Sequence, residues 1–420
     1  MVQIHKKINS MKKLIIFALI LISSYLGAQE LTQYKPETFS HIGYYQGEPI
    51  FVCQQIANYK FSESEKPGSL YKATEINGFL SFSIFKEIDR KTFGDALFVM
   101  NECIGYDSYY GGNVLTIYCK NEIKRIEFMS DVFNGSYALT DNLELVVSPS
   151  DGKNIHLEYI VINKSPIEKV RLPLIGNNSI CIGDYIYFTT YHINPEYTHY
   201  PLDIYRVKIG DWNNPELLLQ EAVESWMPIP NTDIIYTRIS INGKLENVYY
   251  NTANKTYEIT NDRFNPQLIK YEGKYMINNT CKDKATGETR YCLKELPVFN
   301  SDNFTKDNRK ISDNLIAINL SNSQKPFLNT FITDELLYNA PESELSKLDK
   351  RQLRLLRNAF FARQGYNFNS KDLKEFFGQF EWYNQLLKSY KILEITNEDI
   401  VISPKDKERV ELILNLENNK

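Results

Sequence analysis

Between about Gln33 and Ser301, apolar and polar residues alternate with period two, and the alternating runs are separated by Asn, Gly, Asp and Pro. That is the pattern of half-buried strands joined by turns. One short apolar run keeps returning: Pro49–Val52, Ala96–Val99, Leu143–Val147, Tyr185–Phe188, Asp233–Tyr236 and Lys274–Ile277. Centred on residues 50, 97, 144, 186, 234 and 275, these runs lie 47, 47, 42, 48 and 41 residues apart. Each is followed by a turn and another strand rich in Tyr, Leu and Val, such as Leu115–Tyr118, Leu157–Val161 or Leu202–Val207. A repeat of about 40–50 residues with about four strands is the spacing of a β-propeller blade, which hides its faces only by packing against its neighbours. The expected fold is therefore mainly β, a six-bladed propeller over residues 29–301. Seven blades, using Leu315–Ile318 and Phe327–Phe331, and a β-sandwich are the alternatives.

After Ser301 the period changes. Residues 302–340 carry many Asn, Ser and Lys and read as a linker or as ring-closing strands, and residues 341–420 read as a small, mostly helical domain. Pro341-Glu-Ser-Glu opens a helix with acids in its first turn, where the helix dipole favours them. At 100° per residue, Leu345, Leu348, Leu355, Leu356, Ala359 and Phe360 share one face, and Lys347, Lys350, Arg351, Arg354 and Arg357 the opposite one. Arg363 falls over Leu345 on the apolar side, so it needs a ring or an acceptor. Trp382, Tyr383 and carbonyls freed at the helix end are the expected partners. Gly365 suits the left-handed residue that ends the helix. A short helix follows from Asn369 or Ser370, Trp382-Tyr383 close over both, and a last helix starts at Ser403-Pro404.

The segment Leu356-Arg357-Asn358, then Phe361-Ala362-Arg363-Gln364-Gly365, Tyr366, Phe368, Leu373, Phe377 and Trp382-Tyr383 resembles the YARHG domain, a small module of bacterial envelope and secreted proteins. The central motif departs from the family name at its first and fourth positions. The resemblance implies an exported protein and no established chemistry.

The start of the chain agrees with export. Lys12-Lys13 precedes the apolar stretch Leu14–Ile22 and the small-residue exit Ser23–Ala28, which reads as a signal peptide over residues 1–28 with Met11 as its more natural first residue. The apolar stretch falls short of the roughly 20 residues a spanning helix needs, so no stable membrane span is expected after cleavage. No cysteine follows the cleavage region, so a periplasmic or secreted protein is expected and not a lipoprotein. Without residues 1–28, which hold four lysines and no acids, 44 basic residues face 52 acidic ones, a net charge of −8. Nucleic acid is thereby excluded as a partner. Of the six cysteines, Cys103 and Cys119 sit symmetrically about Gly111, and Cys281 and Cys292 about Ala285-Thr-Gly-Glu. Both placements permit a cross-strand disulfide in an oxidising compartment. Cys53 and Cys181 have no hairpin partner.

Two tyrosine-rich loops are the candidate ligand-binding surface, because loops of this class gather on one face of a propeller. One carries Tyr106, Tyr109 and Tyr110, the other Tyr191, His192, Tyr197, His199 and Tyr200. Such rings stack on sugar or peptide surfaces while nearby amides and carboxylates orient polar groups. His192 and His199 have only Glu196 nearby, so no metal or other cofactor is expected, and no motif selects catalytic residues. The basic stripe Lys347, Lys350, Arg351, Arg354 and Arg357 is the candidate partner-binding face. Together these features predict a non-enzymatic exported binding or scaffolding protein. Its propeller recognises a glycan or peptide, and its helical module attaches to an envelope polymer or an exported protein. An enzyme acting on extracellular glycans or peptides through the looped face is the alternative.

Overall fold

The computed structural model describes residues 39–53, 69–87, 96–107, 114–119, 122–127, 137–139, 144–147, 156–164, 166–191, 202–223, 226–261, 267–311, 319–392 and 395–420. It is mostly β, with a small helical region at the C-terminal end. The described residues fall into two compact units, each assembled from separated stretches of chain. None of the described helices is long and apolar enough to cross a membrane.

The first unit begins with two antiparallel meanders. One comprises β1 (Phe39–Tyr45), β2 (Glu48–Cys53), β3 (Leu70–Ile76) and β4 (Phe79–Lys86). The next comprises β5 (Ala96–Met100), β6 (Cys103–Asp107), β7 (Val114–Cys119) and β8 (Glu122–Glu127). They join edge to edge through a short parallel pairing of β1 with β5, Gly43 against Val99 and Tyr44 against Met100. Gly43 is required there: its φ is +138°, and a Cβ would lie 1.8 Å from the Val99 carbonyl oxygen. Cys103 faces Cys119 in the register of β6 and β7, and the two form a disulfide.

The second unit opens with β9 (Tyr137–Leu139), β10 (Glu144–Val147), β11 (His156–Val161) and β12 (Glu168–Ile175). Then come β13 (Asn177–Ile182), β14 (Tyr185–Tyr191), β15 (Leu202–Lys208) and β16 (Glu216–Ala222). β17 (Met227–Pro228), β18 (Ile234–Ile241), β19 (Lys244–Asn251) and β20 (Thr256–Ile259) follow. Alternation puts one row of each strand inside. Leu157, Tyr159, Leu172 and Leu174 meet Ile186, Phe188, Tyr205 and Trp212 in one core, and Tyr187, Ile204 and Leu219 meet Ile235, Ile239 and Val248 in the next. Strands β14 and β15 thus pack on both faces, with Ile186, Phe188 and Tyr205 in one core and Tyr187 and Ile204 in the other.

β21 (Leu268–Tyr271), β22 (Lys274–Lys282) and β23 (Thr289–Glu295) return to the first unit. Ile269 and Tyr291 pack with Phe39, Phe51 and Tyr71, and the Tyr291 hydroxyl both accepts from the Phe39 amide at 3.1 Å and donates to the Phe39 carbonyl at 2.8 Å. Cys281 and Cys292 form the second disulfide. They bond diagonally, because the register sets Cys281 opposite Arg290 and Cys292 opposite Asn279. Hairpins at Asn77-Gly78, Asn242-Gly243 and Glu272-Gly273 close with both φ positive, the two-residue turn that matches strand twist. β24 (Thr305–Lys306) pairs with β20 in the second unit.

The helical region of the second unit consists of α1 (Glu342–Leu345), α2 (Lys350–Arg363), α3 (Lys371–Phe377), α4 (Glu381–Ile392) and α5 (Pro404–Asn418). Sequence periodicity predicts one helix from Pro341 to Gly365, but the chain breaks it. Asp349 accepts from the Gln352 amide at 2.8 Å while the Gln352 side chain accepts from the Asp349 amide, a capping box that starts a new helix. Trp382 and Tyr383 lie in the first turn of α4 and join the core shared by α2 and α3. Residues 319–340, read as linker or ring-closing strands, carry Phe327, Ile332, Leu337 and Ala340 into the same core as Leu353, Leu356, Phe360, Phe377 and Ile413.

Candidate functional site

The motif around Arg363 ends α2 in a complete capping arrangement. Gly365 has φ +79°, its amide donates to the Ala362 carbonyl at 2.9 Å, and the Tyr366 amide donates to the Phe361 carbonyl at 3.0 Å. Phe361 and Tyr366 meet edge to face at 5.9 Å, the apolar contact that accompanies this cap. Arg363 is 2% exposed. Its guanidinium lies over the rings of Phe327 at 5.1 Å and Tyr338 at 5.7 Å, donates through Nη1 to the Tyr338 hydroxyl at 3.1 Å, and meets Asp334 through Nη2 at 2.6 Å. The requirement for a ring and an acceptor holds, whereas the partners come from residues 327–338 and not from Trp382, Tyr383 or the helix end. Trp382 Nε1 donates to the Pro326 carbonyl and Tyr383 Oη to the Tyr366 carbonyl.

Tyr338 is held in this position by one turn of π-helix, Glu335–Asn339. Arg409 of α5 secures the turn, its guanidinium donating to the carbonyls of Leu336, Leu337 and Ala340. Wide turns of this kind recur at functional sites.

Several contacts seat the helical region on β-structure of the same unit, among them an ion pair of Arg171 with Asp399 at 3.8 Å. The Asn319 side chain exchanges two hydrogen bonds with the backbone of Ile175, at 3.1 and 2.6 Å. Leu386 and Tyr390 of α4 pack on Ile175. Asn213, in the turn between β15 and β16, donates through Nδ2 to Asp406 Oδ2 at 2.9 Å.

Beside that last contact lies a cleft of about 310 Å³. Trp212, Asn213 and Asn214 line one side, and Tyr338, Ser403 and Asp406 line another. Ser403 caps α5, accepting from the Asp406 amide at 3.1 Å. Asp406 is 3% exposed, and burial raises its carboxyl above the usual range, against hydrogen bonds from Ser403 and Asn213. The Tyr338 hydroxyl accepts from Asn322 Nδ2 at 2.8 Å as well as from Arg363. Asn213 Oδ1 is buried and accepts no hydrogen bond. The pattern Ser403-Pro404-x-Asp406 marks a helix start in the sequence, but nothing local marks Asn213 or Tyr338 as its neighbours.

Of the residues singled out from the sequence, the structure describes Tyr106, Tyr191 and the basic stripe. Tyr106 is 3% exposed on β6, packs edge-on against Tyr118 at 5.4 Å, and burial pushes its phenol up to about 12. Tyr191 ends β14 opposite Leu202. Tyr109, Tyr110, His192, Tyr197, His199 and Tyr200 lie outside the described residues. Of the basic stripe, Lys347 precedes α2 and pairs with Glu344, Arg354 faces Asp372 at 3.3 Å, and Arg357 binds buried Glu417 at 2.8 Å. Lys350 and Arg351 are exposed at the start of α2. Among the described residues no group of acidic, His or Cys side chains is placed to hold a metal ion.

Residues 329–418 match the YARHG domain. The helical region described above, with Arg363 and Gly365 at its centre, is thus the YARHG module of the chain, and the match begins ahead of α1, in the segment that supplies Ile332 and Tyr338. No curated protein sequence matches the chain. Among solved structures, it is similar to a putative TolB from Agrobacterium tumefaciens, with 11% identity over 61% of this chain and 90% of that one and a TM-score of 0.34. It is also similar to YCF48 bound to D1 peptide, with 11% identity over 61% and 80% and a TM-score of 0.34. A chain of a nidogen/laminin complex gives 10% identity over 54% and 94% and a TM-score of 0.35.

Proposed function

We propose that this is an exported binding or scaffolding protein of the cell envelope, periplasmic or secreted, without catalytic activity. Its strand repeats are the six blades of a propeller, and its YARHG module is fixed to them to complete a binding site. The observation that carries the reading is the cleft beside Asn213 and Asp406, walled by both the β15–β16 turn and the YARHG module. A module tied down by Asn319, Leu386, Tyr390 and Asp406 acts as a wall of that site, not as a free tether. Two cross-strand disulfides suit an oxidising compartment, and the YARHG match supports export. Lys350 and Arg351 are the part of the basic stripe free to meet an acidic envelope polymer or an exported protein.

Co-sedimentation of the purified protein with envelope fractions tests this reading. Asn214 is exposed at the cleft rim, so Asn214→Trp fills the entrance without touching the core. Co-sedimentation that falls with this variant at unchanged melting temperature supports the cleft as the site. Full co-sedimentation by the variant rejects it.

A further inference from the structure

Independently of the cleft, we infer that Lys325 is a modification site, at which carbon dioxide adds to the side-chain amine to form a carbamate beside Arg363. Lys325 follows the short 3-10 turn Asn322–Gln324, and the chain is pinned on both sides of it. Ahead of it, the Ser321 amide donates to Gln324 Oε1 at 2.9 Å, and the Lys325 amide donates to the Asn322 carbonyl at 3.0 Å. Behind it, the Pro326 carbonyl accepts from Trp382 Nε1, and the Phe327 ring lies against the Arg363 guanidinium. The Lys325 side chain is thereby held in the interior, where it is buried. Among the described residues, the one charge that acts on its amine is the guanidinium of Arg363, a like charge. Asp334, the carboxylate that serves that guanidinium, is itself largely exposed. Arg363 Nε is also buried without an acceptor. The centre is therefore short of acceptors and of negative charge, and two cations in such a place are costly.

Burial, followed by the Arg363 charge, brings the amine down to about 7, so above neutral pH it is mostly the free base. A free amine is a nucleophile. Its nitrogen lone pair attacks the carbon of carbon dioxide, the N–C bond forms, one C–O π pair moves onto oxygen, and a nitrogen proton passes to water. The product is an anion, so a repelled pair becomes an attracted one, and carbamate oxygens supply acceptors to a centre that lacks them. Other amine chemistry does not do this. An aldehyde gives an imine whose protonated form is again a cation beside Arg363, and acylation leaves a neutral amide. Carbon dioxide is also small and uncharged, which suits an amine this deeply buried.

Trapping on the full chain tests this. The protein is equilibrated with isotopically labelled bicarbonate at pH 8 and treated with triethyloxonium, which ethylates a carbamate and prevents its loss, and the labelled lysines are located by peptide mass spectrometry. Label is expected on Lys325 at more than about tenfold the level on exposed lysines such as Lys350, because an amine of ordinary basicity is almost wholly protonated at this pH. In Lys325→Met the label at this position disappears while that on the exposed lysines stays as in the parent. Label spread evenly over Lys325 and the exposed lysines shows reaction without a site and overturns the inference. Absence of label from Lys325 in the folded parent overturns it as well.

Discussion

Lys325 is 4% exposed beneath the Arg363 centre, and burial, followed by the nearby Arg363 charge, brings its amine from 10.5 down to about 7. An unfolded lysine keeps its ordinary value, so between pH 10.5 and 7 the unfolded chain holds a proton that the folded chain does not. Folding stability tied to this group therefore falls as the pH drops through that window and is flat below it. At about 1.4 kcal/mol per tenfold, the full window corresponds to an upper limit of roughly 5 kcal/mol, and relaxation around the amine brings a realistic figure to about 2–4 kcal/mol. Lys325→Met keeps the apolar stem and removes the charge. It is expected to be more stable than the parent by that amount at pH 6.5, with the gain shrinking towards zero at pH 10.5. Urea unfolding of both proteins at pH 6.5, 8 and 10 measures the difference, in which all other titrating groups cancel. A variant no more stable at pH 6.5, or a gain unchanged between pH 7 and 10, refutes the reasoning.

Arg363→Ala is expected to lower stability by about 2–4 kcal/mol, through the lost stacking and charge-assisted bonds, and Arg363→Lys to recover little because a lysine lacks the planar fork. Asp334→Asn, at a carboxylate that is itself 62% exposed, is expected to cost under about 1 kcal/mol; thermal melts compare all three. Gly365→Ala forces a left-handed backbone on alanine and sets its Cβ 2.6 Å from the Tyr390 ring, so a loss of more than about 1 kcal/mol is expected in the same melts. Cys103→Ser/Cys119→Ser removes a bond between residues 16 apart, with an expected loss of about 3 kcal/mol that the reduced parent should match.

Local pattern made much of this readable. The recurrence of Tyr185–Phe188 or Lys274–Ile277 identifies strands because alternation is a property of neighbours in sequence, and symmetry about a turn located both disulfides. Even there the reading is coarse: a register offset of two residues turns Cys281 and Cys292 from an opposed pair into a diagonal one. The cap at Gly365 is equally legible, being built within the six residues Phe361–Tyr366. Arg363 shows where locality ends. Its burial follows from the helix period, but its partners Phe327, Tyr338 and Asp334 come from a stretch whose polar composition resembles a linker. The break at Asp349 was present as Asp-x-x-Gln, outweighed by the longer apolar stripe. The cleft was invisible, since Asn213 and Asp406 lie 193 residues apart and no periodicity links a turn asparagine to a helix cap.

The bond pair between Phe39 and Tyr291 spans 252 residues. Until the chain is made as far as β23, the first meander lacks the cover that Ile269 and Tyr291 give Phe39, Phe51 and Tyr71. Closing so long a loop is slow, since its entropy is lost before the contacts form. The first unit is thus completed only after residues 126–263 of the second have been made.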